Sequence, residues 1–511
     1  MSRRIKILIA VVMMLIAAVI LPVIHHYQLR AATEAYVARL TAQGEPMELA
    51  QVIPPPVPPK QNAAPLLLKA ASLLDTNWDV LGSNPPPAML MVVPGKAIIG
   101  WAQPVIRNGE ESNSWDEIAA ALASENEALG LLRGITNGLA LDFGLAYSNG
   151  VEKIQFSHLA PLKRAAQALS ASAISALHRG DGRVAEKDIH AMLTLTKGMS
   201  HDRLIISELV RIAIAQMAAP VTWEFLQFTN VTESQLGALQ DSWTALDFIR
   251  GEENALEMER VTGGITLAQW RKANSMLQDY FDAWSTFAEP GERGGIFAKA
   301  RLQTQIFMWR YWWSYPDELR LLKGYQIFLE TTRRAETNYS LLSALRVQAD
   351  KVNNLDIDTN SAGSLFFSDV NKVDLHSLMS GSVLSLSRVL DRVLRAETTK
   401  QMTITAIALK RYQLKHGNYP PNLNSLVPEF VAKVPLDPVD GQSLRYRRNP
   451  DGTYLLYSVG ENGKDDGGNP ALEQGTEWRS YYWQNPAALD WVWPQPATEA
   501  EIQNYYAHPP K

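Results

Sequence analysis

The sequence predicts a mainly α-helical protein. An N-terminal transmembrane helix leads into an irregular α-helical array, which ends in a small α+β C-terminal module built on a three-stranded antiparallel sheet. Three observations predict this. An uncharged run, Ile7–Ile24, follows Arg3, Arg4 and Lys6. From Trp115 to about Asn353, apolar residues recur at helical spacing. Beyond Gly417 the composition shifts to closely spaced Pro, Asp and Gly, which punctuate short strand-like runs.

The chain has 511 residues, which suggests two or three domains at roughly 150 residues each. A hydrophobic fraction of 46% excludes a largely disordered chain. With 48 basic and 53 acidic side chains the net charge is −5, and nucleic acid is not an expected partner. The absence of cysteine excludes disulfides, thiolate metal ligands and a cysteine nucleophile.

The run Ile7–Ile24 is 18 residues long. As a helix it covers about 27 Å, close to the thickness of a bilayer core. It is longer than a secretory h-region, and no clear A-x-A site follows, so an uncleaved signal-anchor is expected. The basic residues before it place the N-terminus in the cytoplasm. The expectation is therefore a single-pass inner-membrane protein with most of the chain extracytoplasmic. Leu204–Pro220 is the next most apolar stretch, but Glu208 and Arg211 interrupt it.

The expected organisation is a signal-anchor over 1–24, a helical stalk and Pro-rich linker over 25–60, an α-helical domain over 61–372, a long helix plus module over 373–495, and a tail over 496–511. The run Pro54-Pro55-Pro56-Val57-Pro58-Pro59 forces an extended spacer. Helices are predicted near 115–133, 160–178, 183–199, 202–228, 233–260, 265–287, 296–314 and 317–350, with His178–Gly182 as a helical-hairpin turn. Asn353–Asn371 reads as a polar connector, followed by a long helix from about Asp374 to Lys415. Leu444–Arg448 and Thr453–Ser458 are predicted strands joined by Asn449-Pro450-Asp451-Gly452, with Trp478–Trp483 as the third. The tail is predicted to be partly helical near Thr498–Tyr505.

Within Ala408–Gly468, a helix ends in Tyr412-x-x-x-x-Gly417-x-Tyr419-Pro420. Leu423–Leu426, Pro435-x-Asp437-Pro438-x-x-Gly441, the hairpin and Tyr457-Ser458-x-Gly460-x-Asn462-Gly463 follow in order. This stretch resembles the globular end of the type II secretion major pseudopilin. The layout as a whole resembles bacterial membrane-anchored proteins that carry such a module at the C-terminus. The resemblance implies a calcium-binding loop after the hairpin, here Gly460–Gly468, with Asn462, Asp465 and Asp466 as side-chain ligands and Glu461 behind them. Calcium is the one cofactor expected. The membrane helix lacks the pseudopilin cleavage site and its early glutamate, which implies a borrowed fold rather than a fibre subunit.

Other patterns have simpler readings. Trp309, Trp312 and Trp313 share a helical face and are expected to pack between helices, although Trp and Tyr also suit sugar stacking or a membrane interface. Tyr481, Tyr482, Trp483, Trp491 and Trp493 are expected to cover the C-terminal sheet. Glu252, Glu253, Glu257 and Glu259, with Arg250 and Arg260, read as surface pairs along one helix. The nine histidines are scattered without a zinc spacing, and no G-x-S-x-G, S-x-x-K or phosphate-loop motif is present. The function expected is a membrane-tethered extracytoplasmic interaction or scaffold protein with a protein partner in the cell envelope. The alternatives are an accessory component of a secretion or pilus-like machine, and an extracytoplasmic hydrolase with its site in the helical domain.

Overall fold

The computed structural model describes residues 3–74, 85–108, 111–135, 140–150, 153–273, 303–304, 306–338, 340–355, 378–473 and 483–508. The protein is mainly helical, with a few small sheets. The first helix, α1 (Arg3–Ala42), runs 40 residues without a break, through Pro22. At 1.5 Å per residue it is about 60 Å long. Its second half is packed and does not stand free as the predicted stalk. His26 Nδ1 lies 2.8 Å from the Tyr311 carbonyl, the Thr33 hydroxyl donates to the Tyr315 carbonyl at 3.2 Å, and Leu40 is buried.

The end of this arm is locked by charge. The Glu45 carboxylate accepts Arg333 Nη1 at 2.5 Å, Arg260 Nη2 at 3.0 Å and Gln326 Nε2 at 3.0 Å. Arg333 also reaches Glu253 at 2.6 Å and Glu257 at 2.8 Å. Arg260 is fully buried, so its charge depends on Glu45. The chain then passes a one-turn helix, Leu49–Val52, and the proline strap to reach α2 (Ala64–Leu73).

The body follows the helical pattern with informative breaks. The predicted helix over 115–133 is two, α3 (Trp115–Ser124) and α4 (Asn126–Arg133), the first opened by a Ser114–Glu117 capping box. The hairpin α5 (Leu159–His178) and α6 (Gly182–Gly198) forms as expected, with Asp181 capping the second helix. Gly180 sits at φ 81°, a turn conformation that glycine adopts without steric cost. The alanine-rich face of α5 lets α6 approach closely. Next comes α7 (Ile205–Leu226). Among the described residues it is the helix long and apolar enough to cross a membrane, but 61% of its apolar window is buried inside the protein, as in a core helix.

The single helix predicted over 233–260 is also two, α8 (Glu233–Thr244) and α9 (Phe248–Lys272). Asp247 makes the break by accepting the Arg250 N–H at 2.9 Å. Of the predicted helix 265–287, the first part belongs to α9 and 274–287 lies outside the described residues. The aromatic segment Trp309–Trp313 is a π-helical turn leading into α10 (Ser314–Asn338), and α11 (Leu341–Asn353) follows. Residues 356–377, and with them most of the predicted connector, also lie outside. The long helix α12 spans Leu386–His416.

Eight short strands are described. β1 (Leu90–Val93) and β2 (Lys96–Ile98) form a hairpin, β3 (Ile106–Asn108) and β4 (Glu111–Asn113) another, and neither is legible in the sequence. β5 (Arg445–Arg448), β6 (Tyr454–Ser458) and β7 (Trp491–Val492) make the expected three-stranded antiparallel sheet. The strand predicted over Trp478–Trp483 falls outside the described residues except for Trp483, and β7 completes the sheet. β8 (Gln495–Pro496) pairs in parallel with β2, and α13 (Glu499–Ala507) covers that sheet through Ile502. One continuous apolar core runs from Ala63, just before α2, to Trp493 and includes Leu426, Leu456 and Trp491 of the C-terminal module.

Burial opposes ionisation of Glu45, but Arg333, Gln326 and Arg260 outweigh it and hold the carboxyl down at about 2, from an ordinary 4.5. Its contribution is thus complete above the ordinary carboxylate range and is lost as pH falls towards 2. Glu45→Ala is expected to cost about 3 kcal/mol at neutral pH, because Arg260 is left buried without its counter-charge. The same variant is expected to flatten the acid limb of stability against pH. Denaturant unfolding across pH checks both, and a loss below about 0.5 kcal/mol, as for a surface pair, contradicts the assignment.

Candidate functional site

The loop after β6 owes its shape to two buried acids. Asp437 accepts the N–H groups of Val439 and Val459, each at 3.0 Å, and the Ser458 hydroxyl at 2.8 Å. Asp490, 1% exposed, accepts the N–H groups of Gly468 at 2.9 Å and Asn469 at 3.0 Å. Burial raises the pKa of both carboxyls, against the pull of these backbone donors. The sequence signalled Asp437 only as a turn residue before Pro438, and Asp490 carried no signal.

Of the three expected calcium ligands, the fold joins two. Asn462 Nδ2 donates to Asp466 Oδ2 at 3.0 Å. Asp465 turns away: its Oδ1 accepts the Tyr457 hydroxyl at 2.9 Å and the Gly467 N–H at 3.0 Å, while Arg445 faces its Oδ2 at 3.5 Å. The Gly467 N–H, Tyr457 and Arg445 hold the Asp465 carboxyl below its ordinary range. Glu461 pairs with Arg395 at 2.7 Å, and Arg346 Nη2 donates to the Asn462 carbonyl at 3.4 Å. Calcium asks for six to eight converging oxygens. In this arrangement the Gly467 amide, Arg445 and Arg395 engage Asp465 and Glu461, the Lys464 N–H donates to Asn462 Oδ1 at 2.8 Å, and Asp466 accepts from the Asn462 side chain.

The acid run on α9 differs from its surface reading. Glu253 and Glu257 are drawn inward by Arg333, whereas Arg250 does pair with Glu253 on the same helix at 2.5 Å. Glu252 is fully buried, and among the described residues neither carboxyl oxygen has a hydrogen-bond partner. Burial, with Glu208 and Glu259 nearby, raises its pKa well above the ordinary range. Glu224 accepts the N–H groups of Met89 at 2.8 Å and Gly100 at 2.9 Å, and burial pushes its carboxyl up to about 8. Glu224 thereby holds the loop around Met89 and Gly100 onto α7.

His158 lies 2.7 Å from Asp202, which also accepts the Ser207 hydroxyl at 2.8 Å. The residue types are those of a catalytic triad, but Ser207 donates to the acid rather than to the imidazole, and all three are buried. Trp309 is buried, as its core reading requires. Tyr311, 45% exposed, instead lies beside His26 of α1, and Phe307, 52% exposed, packs on Tyr311. Tyr481 and Tyr482 fall outside the described residues, while Trp483 packs edge-on against Trp493 at 5.6 Å.

A groove of about 940 Å³ lies between α8, α12 and the module segment Pro428–Pro438. Its apolar lining includes Leu246, Ile404, Phe430 and Val434. Lys400 is tied to Glu397 at 2.6 Å and to the Leu246 carbonyl at 3.0 Å. Arg411 is tied to Glu233 at 2.6 Å. Asp241, Asp247 and Glu336 then give the groove an acidic rim; Glu429, which is paired with Lys415, and Lys433 also line it. None of the groove residues stood out as a site in the sequence, because they come from four separated segments. No family model, curated protein or solved structure matches the chain.

The donor set of Gly460–Gly468 gives a direct expectation. The melting midpoint of the full chain should be the same with added calcium and with chelator. A midpoint raised by calcium and lowered by Asp466→Ala contradicts the assignment of these oxygens to protein donors.

Proposed function

We propose that this chain is a membrane-tethered extracytoplasmic interaction protein whose groove receives an extended, positively charged polypeptide segment of an envelope partner. The groove carries the reading. An apolar floor rewards alternate side chains of an extended segment, and the acidic rim selects its charge. The rim sits where the helical body meets the C-terminal module, a place where binding sites often form.

The tether is α1. Met13 and Met14, 64% and 70% exposed, and Leu21, 64% exposed, lie on the part that projects beyond the body. Such apolar exposure on a long helix favours lipid as its surroundings. The exposed Phe307 and Tyr311 lie where α1 leaves the body, the level at which aromatic side chains meet a bilayer surface. With Arg3, Arg4 and Lys6 on the cytoplasmic side, the body lies outside the inner membrane. The order α12, the short turn Leu423–Leu426 and the β5–β6 hairpin supports reading this region as a pseudopilin-like module put to use as a groove wall.

Fluorescence anisotropy with synthetic peptides tests the groove. A peptide alternating lysine and leucine is expected to bind saturably, and its glutamate–leucine counterpart at least about tenfold more weakly. Asp241→Lys with Glu336→Lys, both exposed rim positions, is expected to abolish that preference. Equal binding of both peptides, or a preference unmoved by the reversal, contradicts the proposal.

A further inference from the structure

A second cavity lies where the proline strap crosses the helical body. It holds about 450 Å³ between the end of α6, the segment Ser200–Arg203, the start of α9 and Pro54–Pro55. Lys197, Arg203, Arg211 and Arg250 line it, with His201 beside them. Among the described lining residues, Asp247 is the one carboxylate. We infer that this cavity binds the oxyanion group, phosphate or carboxylate, of a small soluble ligand.

The charge balance carries the inference. Arg211 is answered by Glu208 at 2.6 Å, Arg250 by Glu253 at 2.5 Å, and His201 by Asp142 at 3.7 Å. Asp247 turns Oδ1 to the Arg250 N–H and caps its own helix. Lys197 and Arg203 have no acidic partner among the described residues; Arg203 donates only to the Val52 carbonyl, at 2.9 Å. Lys197 and Arg203, set against the Asp247 carboxylate, therefore leave a net positive charge in one concavity, where the low-dielectric walls strengthen its field. Phosphate and carboxylate are the groups that guanidinium and ammonium recognise there.

The backbone supports the same reading. Arg203 sits at φ 49°, a left-handed conformation that an arginine adopts at a steric cost. The cost is incurred where a guanidinium lines the cavity. On the facing wall, a Cβ on Gly251 would come within 2.2 Å of Arg211 Nη1. Glycine there lets Arg211 lie directly across α9. The volume exceeds that of a bare anion and suits a small molecule carrying one.

A lipid headgroup is the other source of such chemistry. The opposite end of α9 marks the membrane side: Arg271 stacks over Tyr315 at 4.4 Å, and Tyr315 accepts the bond from Thr33 of α1. From Gly251 to Arg271 the helix rises about 30 Å. The cavity therefore lies a helix length from the proposed bilayer surface. This choice of source rests on α1 being the membrane span, whereas the oxyanion chemistry does not.

Isothermal titration of the full chain in detergent, with pyrophosphate and with citrate at constant ionic strength, tests the inference. Saturable binding of at least one of them is expected. Lys197→Ala with Arg203→Gly is expected to weaken it about tenfold or more per cation removed. Lys197 is exposed and unpaired among the described residues, and glycine relieves the strain at position 203, so the folded state should survive, with an unchanged far-UV spectrum as the control. No binding, or binding that the double variant leaves intact, overturns the inference. Vesicles of phosphatidylglycerol form the second arm. Cation-dependent competition from them at equal phosphate overturns the soluble source, and the peptide preference of the acidic groove is expected to be unaffected in every arm.

Discussion

The carboxylate of Glu45, held between Arg260 and Arg333, is the constraint on which the arrangement of this protein depends. It joins the end of the N-terminal helix to two helices of the body, more than two hundred residues away in sequence. Arg260 is fully buried, and an uncompensated guanidinium there would be too costly to keep. The N-terminal helix is therefore a fixed arm rather than a hinged tether. The proline strap starts from this point and can only run across the body, because prolines hold it extended. A single ion network thus sets the direction in which α1 leaves the body and the course the chain takes next.

The second organising feature is the interruption between α8 and α9. Ala245 and Asp247, at that break, line both the acidic groove and the basic cavity. An unbroken helix would fill this space with its own side chains. The break leaves two adjoining concavities of opposite character, one rimmed by acids and the other lined by cations. Asp247 serves both as the helix cap and as the shared wall.

Much of the architecture was legible in the sequence because periodicity reports local structure. The α5–α6 hairpin, α7, the β5–β6 hairpin and the C-terminal α13 all lie where apolar spacing and turn residues place them. The misses have physical causes. A capped break inside an apolar pattern leaves the period intact, so Asp247 and Glu125 did not register as helix ends. Strands such as β1 and β8 have two to four residues, too few to show a period of two. The acids of α9 read as surface residues because their partner, Arg333, lies on another helix. Asn462, Asp465 and Asp466 share one loop after β6, but composition cannot say which donors engage their oxygens. The two concavities were invisible for the same reason, being assembled from segments that meet only after folding.

The central claim is that α1 is clamped to the body at one end and enters a bilayer at the other. The cysteine-free chain allows a single reporter to be placed without ambiguity. The full chain carrying Met14→Cys, labelled with an environment-sensitive fluorophore and reconstituted into phospholipid vesicles, measures this directly. The account predicts emission characteristic of hydrocarbon and protection from an aqueous quencher. Emission characteristic of water with full quenching would contradict it.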